Sequence, residues 1–280
     1  MKRDSRAQGP EAFEEYYSRQ WGERWPRLRG ALLGEAEPLP WSAGLKTPYS
    51  MDPASILAAM ALGRPRGQSC LDLCAAPGGK TLVIASRMED SSLLANERSI
   101  DRFHRLKRVL DEHAPDPLRA SIKSRHGDGA ALCRSLPEAF DLILLDAPCS
   151  SERHVLGSET HLGIWSPRRL KALPVGQWAL LSSAFLMLKP GGRLTYSTCS
   201  LNPAENEGIA ARLFHKYGDR AVEADPLAIL REEIKGTDDP MRRRFESILS
   251  SAERAERGIL ILPDRCDGAG PMYIAIFEKS

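Results

Sequence analysis

The sequence contains no CxxC pair, and none of its six histidines stands at zinc-ligand spacing. Both absences argue against a structural zinc site, and no metal is expected. No apolar run approaches the ~20 residues that a membrane span requires. The segment MKRDSRAQGPEAFEEYY has no apolar core of the secretory kind, and Asp4, Glu11, Glu14 and Glu15 are out of place in a transit peptide. A cytoplasmic protein is expected, or a mitochondrial matrix protein if a transit peptide has been removed. Internal repeats of 20–50 residues are missing. Glycine (22) and proline (20) are too few for a disordered chain. The formal charge of +2 leaves nucleic-acid binding to local basic patches.

What is present is a chain of 280 residues, 42% hydrophobic, enough for a sizeable core. Its six cysteines do not form the framework of a small secreted scaffold and read as reduced thiols. Cys70 and Cys74 flank LDL, and Cys133 and Cys266 are isolated. Cys149 and Cys199 each follow an apolar run, in FDLILLDAPCSS and LTYSTCSLNPAENE.

Residues 1–44 read as a helical arm. Phe13, Tyr16, Tyr17 and Trp21, then Trp25, Leu28 and Leu32, recur at roughly helical spacing around a break at Pro26. Arg19, Arg24, Arg27 and Arg29 accompany them. Two compatible readings follow: an amphipathic arm packed on the main body with its arginines in solvent, or an RNA-contacting arm. PLPWSAGLKTPYSMDPAS reads as an irregular connection. ASILAAMALG is expected to be a helix opened by Pro53, with Asp52 as N-cap.

From there strands and helices alternate. SCLDLCAA, SLLANE, a short stretch of RASIKSRHGD, FDLILLDAPC and RLTYST read as strands. KTLVIASRM, SIDRFHRLKRVLDEHA, ALCRSLP, LPVGQWALLSSAFLML and PAENEGIAARLFHKY read as helices, the last with Asn202 as cap and Pro203 at its first position. This is the pattern of a mostly parallel α/β sheet covered on both faces. GILILPD and GPMYIAIFEKS close it with an antiparallel hairpin, and the charged stretch between residues 227 and 258 reads as surface helices. Residues 45–280 are thus one domain.

Ligands on open α/β sheets bind beyond the carboxyl ends of the strands. The first such loop, DLCAAPGGKT, is neither GxGxxG nor GxxxxGK[ST]. Its small residues and glycines still allow close approach to the backbone, and Lys80 opens the next helix. Glu97 ends the second strand at the position that suits a ribose diol, and Asp128 follows the third, able to accept from an adenine amine. This describes a nucleoside-sized pocket with no phosphate cradle, which favours S-adenosylmethionine over NAD or ATP. Methyl transfer to C5 of a pyrimidine needs a thiolate, which adds to C6 and makes C5 nucleophilic. Asp146, three residues before Cys149, is a candidate to promote that addition, and Lys80 is expected either to pair with it or to contact the base directly. On the residues alone, the choice of attacking thiol between Cys149 and Cys199 stays open.

LDLCAAPGGKT, LLDAPCSS and YSTCSLNPAENE, in that order, with YSMDPASIL before them, closely resemble the Nop2/Sun (NSUN, RsmB/RsmF) RNA cytosine-C5 methyltransferases. The resemblance covers about residues 45–280. It implies a Rossmann-like class I methyltransferase fold with S-adenosylmethionine held by Cys74, Ala75, Ala76, Pro77, Gly78, Gly79 and Lys80, with Glu97, Asp128 and Asp146, and with Arg102 supporting the cofactor acid. It also implies that Cys199 attacks and that Cys149 assists product release. SSERHVL after Cys149, where many relatives carry a glycine-containing loop, and the C-terminal pair of strands look most similar to the mitochondrial-type branch. No PUA-like or NusB-like domain is recognised. RNA selection then rests on the arm, on RSIDRFHRLKR, on SPRRLK, or on a partner protein or ribosomal subunit. The expected substrate is rRNA first and tRNA second. The rival reading is an RNA-binding ribosome assembly factor on the same fold, for which Cys149, Cys199, Asp146 and Lys80 would be needless.

Overall fold

A computed structural model of the chain describes residues 8–34 and 37–280. Eleven strands are found among them. Leu39–Trp41 (β1) and Tyr49–Met51 (β2) form a separate antiparallel pair. The main sheet takes Ser69–Asp72 (β3), Ser92–Glu97 (β4), Ile122–His126 (β5), Phe140–Asp146 (β6), Leu188–Thr198 (β7), Ala221–Ala224 (β8), Glu253–Arg254 (β9), Ile259–Ile261 (β10) and Met272–Lys279 (β11).

The order across this sheet is β5-β4-β3-β6-β7-β11-β10-β9, with β8 also paired to β11. β5, β4, β3, β6 and β7 are mutually parallel. β11 runs antiparallel to β7, β8 and β10. The expected Rossmann-like architecture with a reversed C-terminal strand pair is therefore observed. β6 and β11 are apolar almost throughout because both their faces are covered. Leu57, Val83, Leu106, Leu230, Phe245 and Ile248 fill one face of the sheet, and Leu181, Phe185, Ile209 and Leu213 fill the other.

Local signals set most element ends. Pro53 opens the helix Pro53–Met60, and the Asp52 carboxylate accepts from Ala54 N at 2.7 Å. Ser99 caps Ile100–His113. The helices Pro226–Glu233 and Asp239–Ser251 turn Leu230 and Phe245 into the core, so they close one sheet face as well as meeting solvent.

Some expectations need correction. The helix expected from Pro203 begins at Glu207. Asn202 instead supports a turn, accepting from Ala204 N, while Glu205 and Asn206 turn inward and bond to Ser200. ALCRSLP gives only a 3₁₀ turn at Leu132–Arg134, cut short before Pro137. The supposedly irregular connection carries β1 and β2, whose joining loop contains residues 44 and 45. The helix expected from Leu173 starts earlier, at Pro167, and runs through Pro174 to Met187.

The arm forms the helices Pro10–Trp21 and Trp25–Leu33. Phe13, Tyr17, Trp25, Leu28 and Leu32 are buried against Val155, Trp165, Leu170, Leu201 and Leu262. Phe13 lies edge-on to Trp165 with ring centroids 5.1 Å apart. These rings serve packing and are closed to base stacking. The arginines are also engaged: Arg24 binds Glu253 and Asp264, Arg27 shares Asp264, Arg29 pairs with Glu14 and Arg19 with Glu15.

Candidate active site

Parallel strands deliver their following loops to one edge, and this edge collects the chemistry. β3 ends at Asp72 and runs into Leu73–Gly78 before the helix Gly79–Ala85. Gly78 has φ 121°, open to glycine and strained for other residues, and a Cβ there would meet Val109 at 3.0 Å. A Cβ on Gly79 would lie 2.5 Å from the Tyr49 ring. The two glycines let the loop fit between the helix Ile100–His113 and β2. Asn96, near the end of β4, fastens the loops after β3 and β5 to this strand. Its carbonyl accepts from Ala75 N, and its Nδ2 donates to the carbonyls of Leu73 and Gly127.

Two clefts share Cys74 along this edge. The larger, about 400 Å³, is lined by Glu97, Arg102, Asp128, Pro148, Arg169 and Gln177 among others. The smaller, about 150 Å³, is lined by Tyr49, Ser55, Asp72, Ala75, Ala76, Pro77, Gly79, Lys80 and Asp146. Gly78, the last residue of the same loop, is in neither lining. Glu97 is 4% exposed. Its Oε1 accepts from Ser99 N at 2.8 Å, whereas Oε2 has no hydrogen-bond donor and only the Arg102 guanidinium at 3.6 Å. Arg102 also donates to the Ala76 carbonyl at 2.6 Å, tying the acid to the loop. Asp128 is exposed and closes a turn by accepting from Ala130 N, so it lines the cleft as a turn residue.

β6 and β7 bring in the second group. The Asp146 Oδ2 accepts from Lys80 Nζ at 2.9 Å, and Oδ1 accepts from Ser197 Oγ at 2.7 Å. Burial lowers the Lys80 affinity for its proton, but the adjacent Asp146 carboxylate outweighs this and the net shift is upward. Just beyond the two strand ends, Cys149 and Cys199 lie with their Sγ atoms 3.1 Å apart, unbonded. Cys199 is held below the ordinary thiol range, chiefly by the hydrogen bond from Cys149, against the opposing effect of burial. Cys149 is pushed well above that range as the donor of the same bond. Of the two, Cys199 is the more readily ionised.

The residues after the thiols hold this arrangement. Ser150 Oγ and Ser200 Oγ are 2.7 Å apart. Glu152, fully buried, accepts from Tyr17 of the arm, from Ser150 Oγ and from Leu201 N. Glu205, also buried, accepts from Ser150 N, Ser200 Oγ and Gln177 Nε2, and Gln177 in turn donates to the Pro148 carbonyl. None of these braces was selected from the sequence, since polar residues scattered over four segments carry no spacing signal. Asp72 was also overlooked. It is 1% exposed, bonded to Thr81 through Oδ2 and unpartnered at Oδ1, and burial raises its pKa to about 7. An acid at the end of the first parallel strand was the available signal. Among the described residues no group of three or more metal-ligating side chains occurs, and no helix is long and apolar enough to cross a membrane.

A mostly parallel sheet in this order, with its clefts at the carboxyl edge, defines a Rossmann-like methyltransferase domain. The chain belongs to the family described as 16S rRNA methyltransferase RsmB/F, whose model matches residues 59–275. It is 34% identical over 240 residues to the mitochondrial tRNA (cytosine(34)-C(5))-methyltransferase of Mus musculus, covering 85% of this chain and 65% of that one. It is 35% identical over 240 residues to the 5-cytosine rRNA methyltransferase NSUN4 of Bos taurus, covering 83% of this chain and 59% of the relative. The chain thus spans less than two thirds of these relatives. In fold it is similar to NSun6 from Pyrococcus horikoshii, determined with SFG, at a TM-score of 0.61 and 23% identity, covering 85% of this chain and 54% of that one. A methyltransferase homologue from Pyrococcus horikoshii is similar at a TM-score of 0.67 and 21% identity, covering 96% and 94%.

Proposed function

We propose that this chain is an RNA cytosine-C5 methyltransferase that uses S-adenosylmethionine and acts on rRNA. The observation that carries this reading is Cys199 held 3.1 Å from Cys149, on the same sheet edge as the Lys80–Asp146 pair. A methyltransferase acting on nitrogen or oxygen needs no such thiol.

The cleft suits the methyl donor. The unpartnered Glu97 Oε2 is an acceptor for ribose hydroxyls, and Asp128 is an acceptor for an amine at the cleft rim. The unpartnered Asp72 Oδ1 offers negative charge to a cationic group near the loop Cys74–Lys80. Bound there, S-adenosylmethionine supplies an electrophilic methyl group.

The protein residues do the rest. The Cys199 sulfur adds to C6 of the cytosine, and the electron pair of the C5–C6 bond becomes available at C5. Asp146, fixed by Lys80 and Ser197, stabilises the activated ring, and Lys80 helps to place it. After methylation a base takes up the C5 proton, the C–H electron pair re-forms the C5–C6 double bond and the C6–S bond breaks with its pair returning to the Cys199 sulfur; Cys149 assists this release. Arg168, Arg169 and Lys171 stand at the start of the helix that lines the larger cleft, and we assign them to RNA phosphates in preference to the arm.

Ribosomal RNA is favoured by the matched family and by the NSUN4 relatives, while a tRNA substrate has the support of the mitochondrial relative. Transfer of tritiated methyl groups to purified rRNA and tRNA tests the activity, and bisulfite sequencing of the labelled RNA names the cytosine. Incorporation into tRNA alone would replace the rRNA assignment, and incorporation into neither would leave the assembly-factor reading in its place.

A further inference from the structure

Ser151 stands immediately before the short helix Glu152–Leu156, with φ 53° and ψ 58°. This is the left-handed region, costly for any residue that carries a side chain. The other non-glycine residues with positive φ among the described residues, Asp90, Glu138 and Asp267, all lie in exposed turns. Ser151 is half-buried at the thiol pair.

A serine at this position ordinarily caps the helix it precedes. Ser158 does so for the next helix, accepting from His161 N. Ser151 makes no such bond. Its Oγ lies 3.2 Å from Cys199 Sγ and 3.4 Å from Cys149 Sγ, with only a long 3.5 Å contact to the Cys149 carbonyl. Glycine would occupy this backbone without strain. The strained backbone therefore places a hydroxyl against both sulfurs, and helix capping does not account for it.

We propose that Ser151 is a further catalytic residue of this site, whose hydroxyl donates to whichever of the two sulfurs carries negative charge. In the resting site it joins Cys149 in favouring ionisation of Cys199. Once the Cys199 sulfur is bonded to C6 it no longer holds that charge, and a rotation of the Ser151 side chain turns the hydroxyl to Cys149, the group assigned to release. No bond is made or broken at the serine oxygen, so the residue moves no proton of its own. The hydroxyl favours the ionised form of each thiol in turn.

The proposal deepens the methyltransferase reading and rests on it for the consequence in turnover. Its test needs neither RNA nor methyl donor, so the two can fail separately. The pH dependence of iodoacetamide alkylation is followed at Cys199 by peptide mass spectrometry in the full chain, for wild type, Ser151→Gly and Ser151→Ala, with a thermal melt of each. Both variants are expected to alkylate about tenfold more slowly at neutral pH, with the ionisation of Cys199 moved upward. Ser151→Gly should also melt higher than wild type, because strain is released. A more stable protein with a less reactive thiol is not the result of a structural role. Unchanged or faster alkylation of Cys199 in Ser151→Gly would overturn the proposal, whether or not Ser151→Ala folds.

Discussion

Cys149 Sγ and Cys199 Sγ stand 3.1 Å apart although 50 residues separate them in the chain. Their strands, β6 and β7, are parallel neighbours, and Asp146 pairs with Ser197 in register. Cys149 is the third residue after the end of β6 and Cys199 the first after the end of β7, so the loops converge. The contact pushes the ionisation of Cys149 up and that of Cys199 down, giving two like residues different chemistry.

That division predicts different outcomes on substitution. Cys199→Ala should abolish methyl transfer while leaving S-adenosylmethionine binding within about twofold, since the sulfur lies outside the cofactor loop. Isothermal titration beside a tritium assay separates the two effects.

Loss of the Lys80–Asp146 pair should show in turnover. Asp146→Asn keeps the shape but removes the charge that holds Lys80, and kcat is expected to fall by about 10²-fold or more. Single-turnover kinetics at saturating RNA measures it. A change confined to KM would assign Asp146 to binding alone.

Asp72 gives a pH prediction with a definite sign. Its folded pKa is raised from 3.8 to about 7 by burial. Below 3.8 both folded and unfolded chains hold the proton. As pH rises toward 7 the unfolded chain releases it first, so stability is lost over that window. Asp72→Asn should therefore melt above wild type at pH 8, with the difference shrinking toward pH 4. Calorimetry across this range, without methyl donor, checks it.

The arm should matter for stability and for the order of the thiol loops. Tyr17→Phe removes a buried donor to Glu152, at an expected cost of about 1–3 kcal/mol by urea denaturation. Reversing charge at Arg168, Arg169 and Lys171 should instead raise KM for RNA and flatten its salt dependence, with the melting temperature unchanged. Arg24→Ala should lower the melting temperature, because Arg24 joins the arm to Glu253 and Asp264.

Much of this was legible in the sequence where a pattern is local. FDLILLD could only be a strand buried on both faces, and Asp52-Pro53 announced a helix start. Glu97, Asp146 and Cys199 were marked by their place at strand ends. Features that depend on distant partners were invisible. Asn202-Pro203 looks like a helix start, but Glu205 and Asn206 are drawn inward by Ser200. The buried Glu152 reads as a surface acid until Tyr17 and Leu201 arrive from elsewhere in the chain. Phe13, Tyr17 and Trp25 of the arm read as stacking or packing residues alike until Trp165 and Leu262 fill the space around them.

The role of Cys199 is tested most directly by trapping. The Cys149→Ala protein is incubated with RNA and S-adenosylmethionine, resolved on a denaturing gel, and any slowly migrating protein–RNA adduct is digested for peptide mapping. The account predicts an adduct through Cys199 that accumulates because release is impaired. Methyl transfer by Cys199→Ala, with an adduct through Cys149, would contradict it.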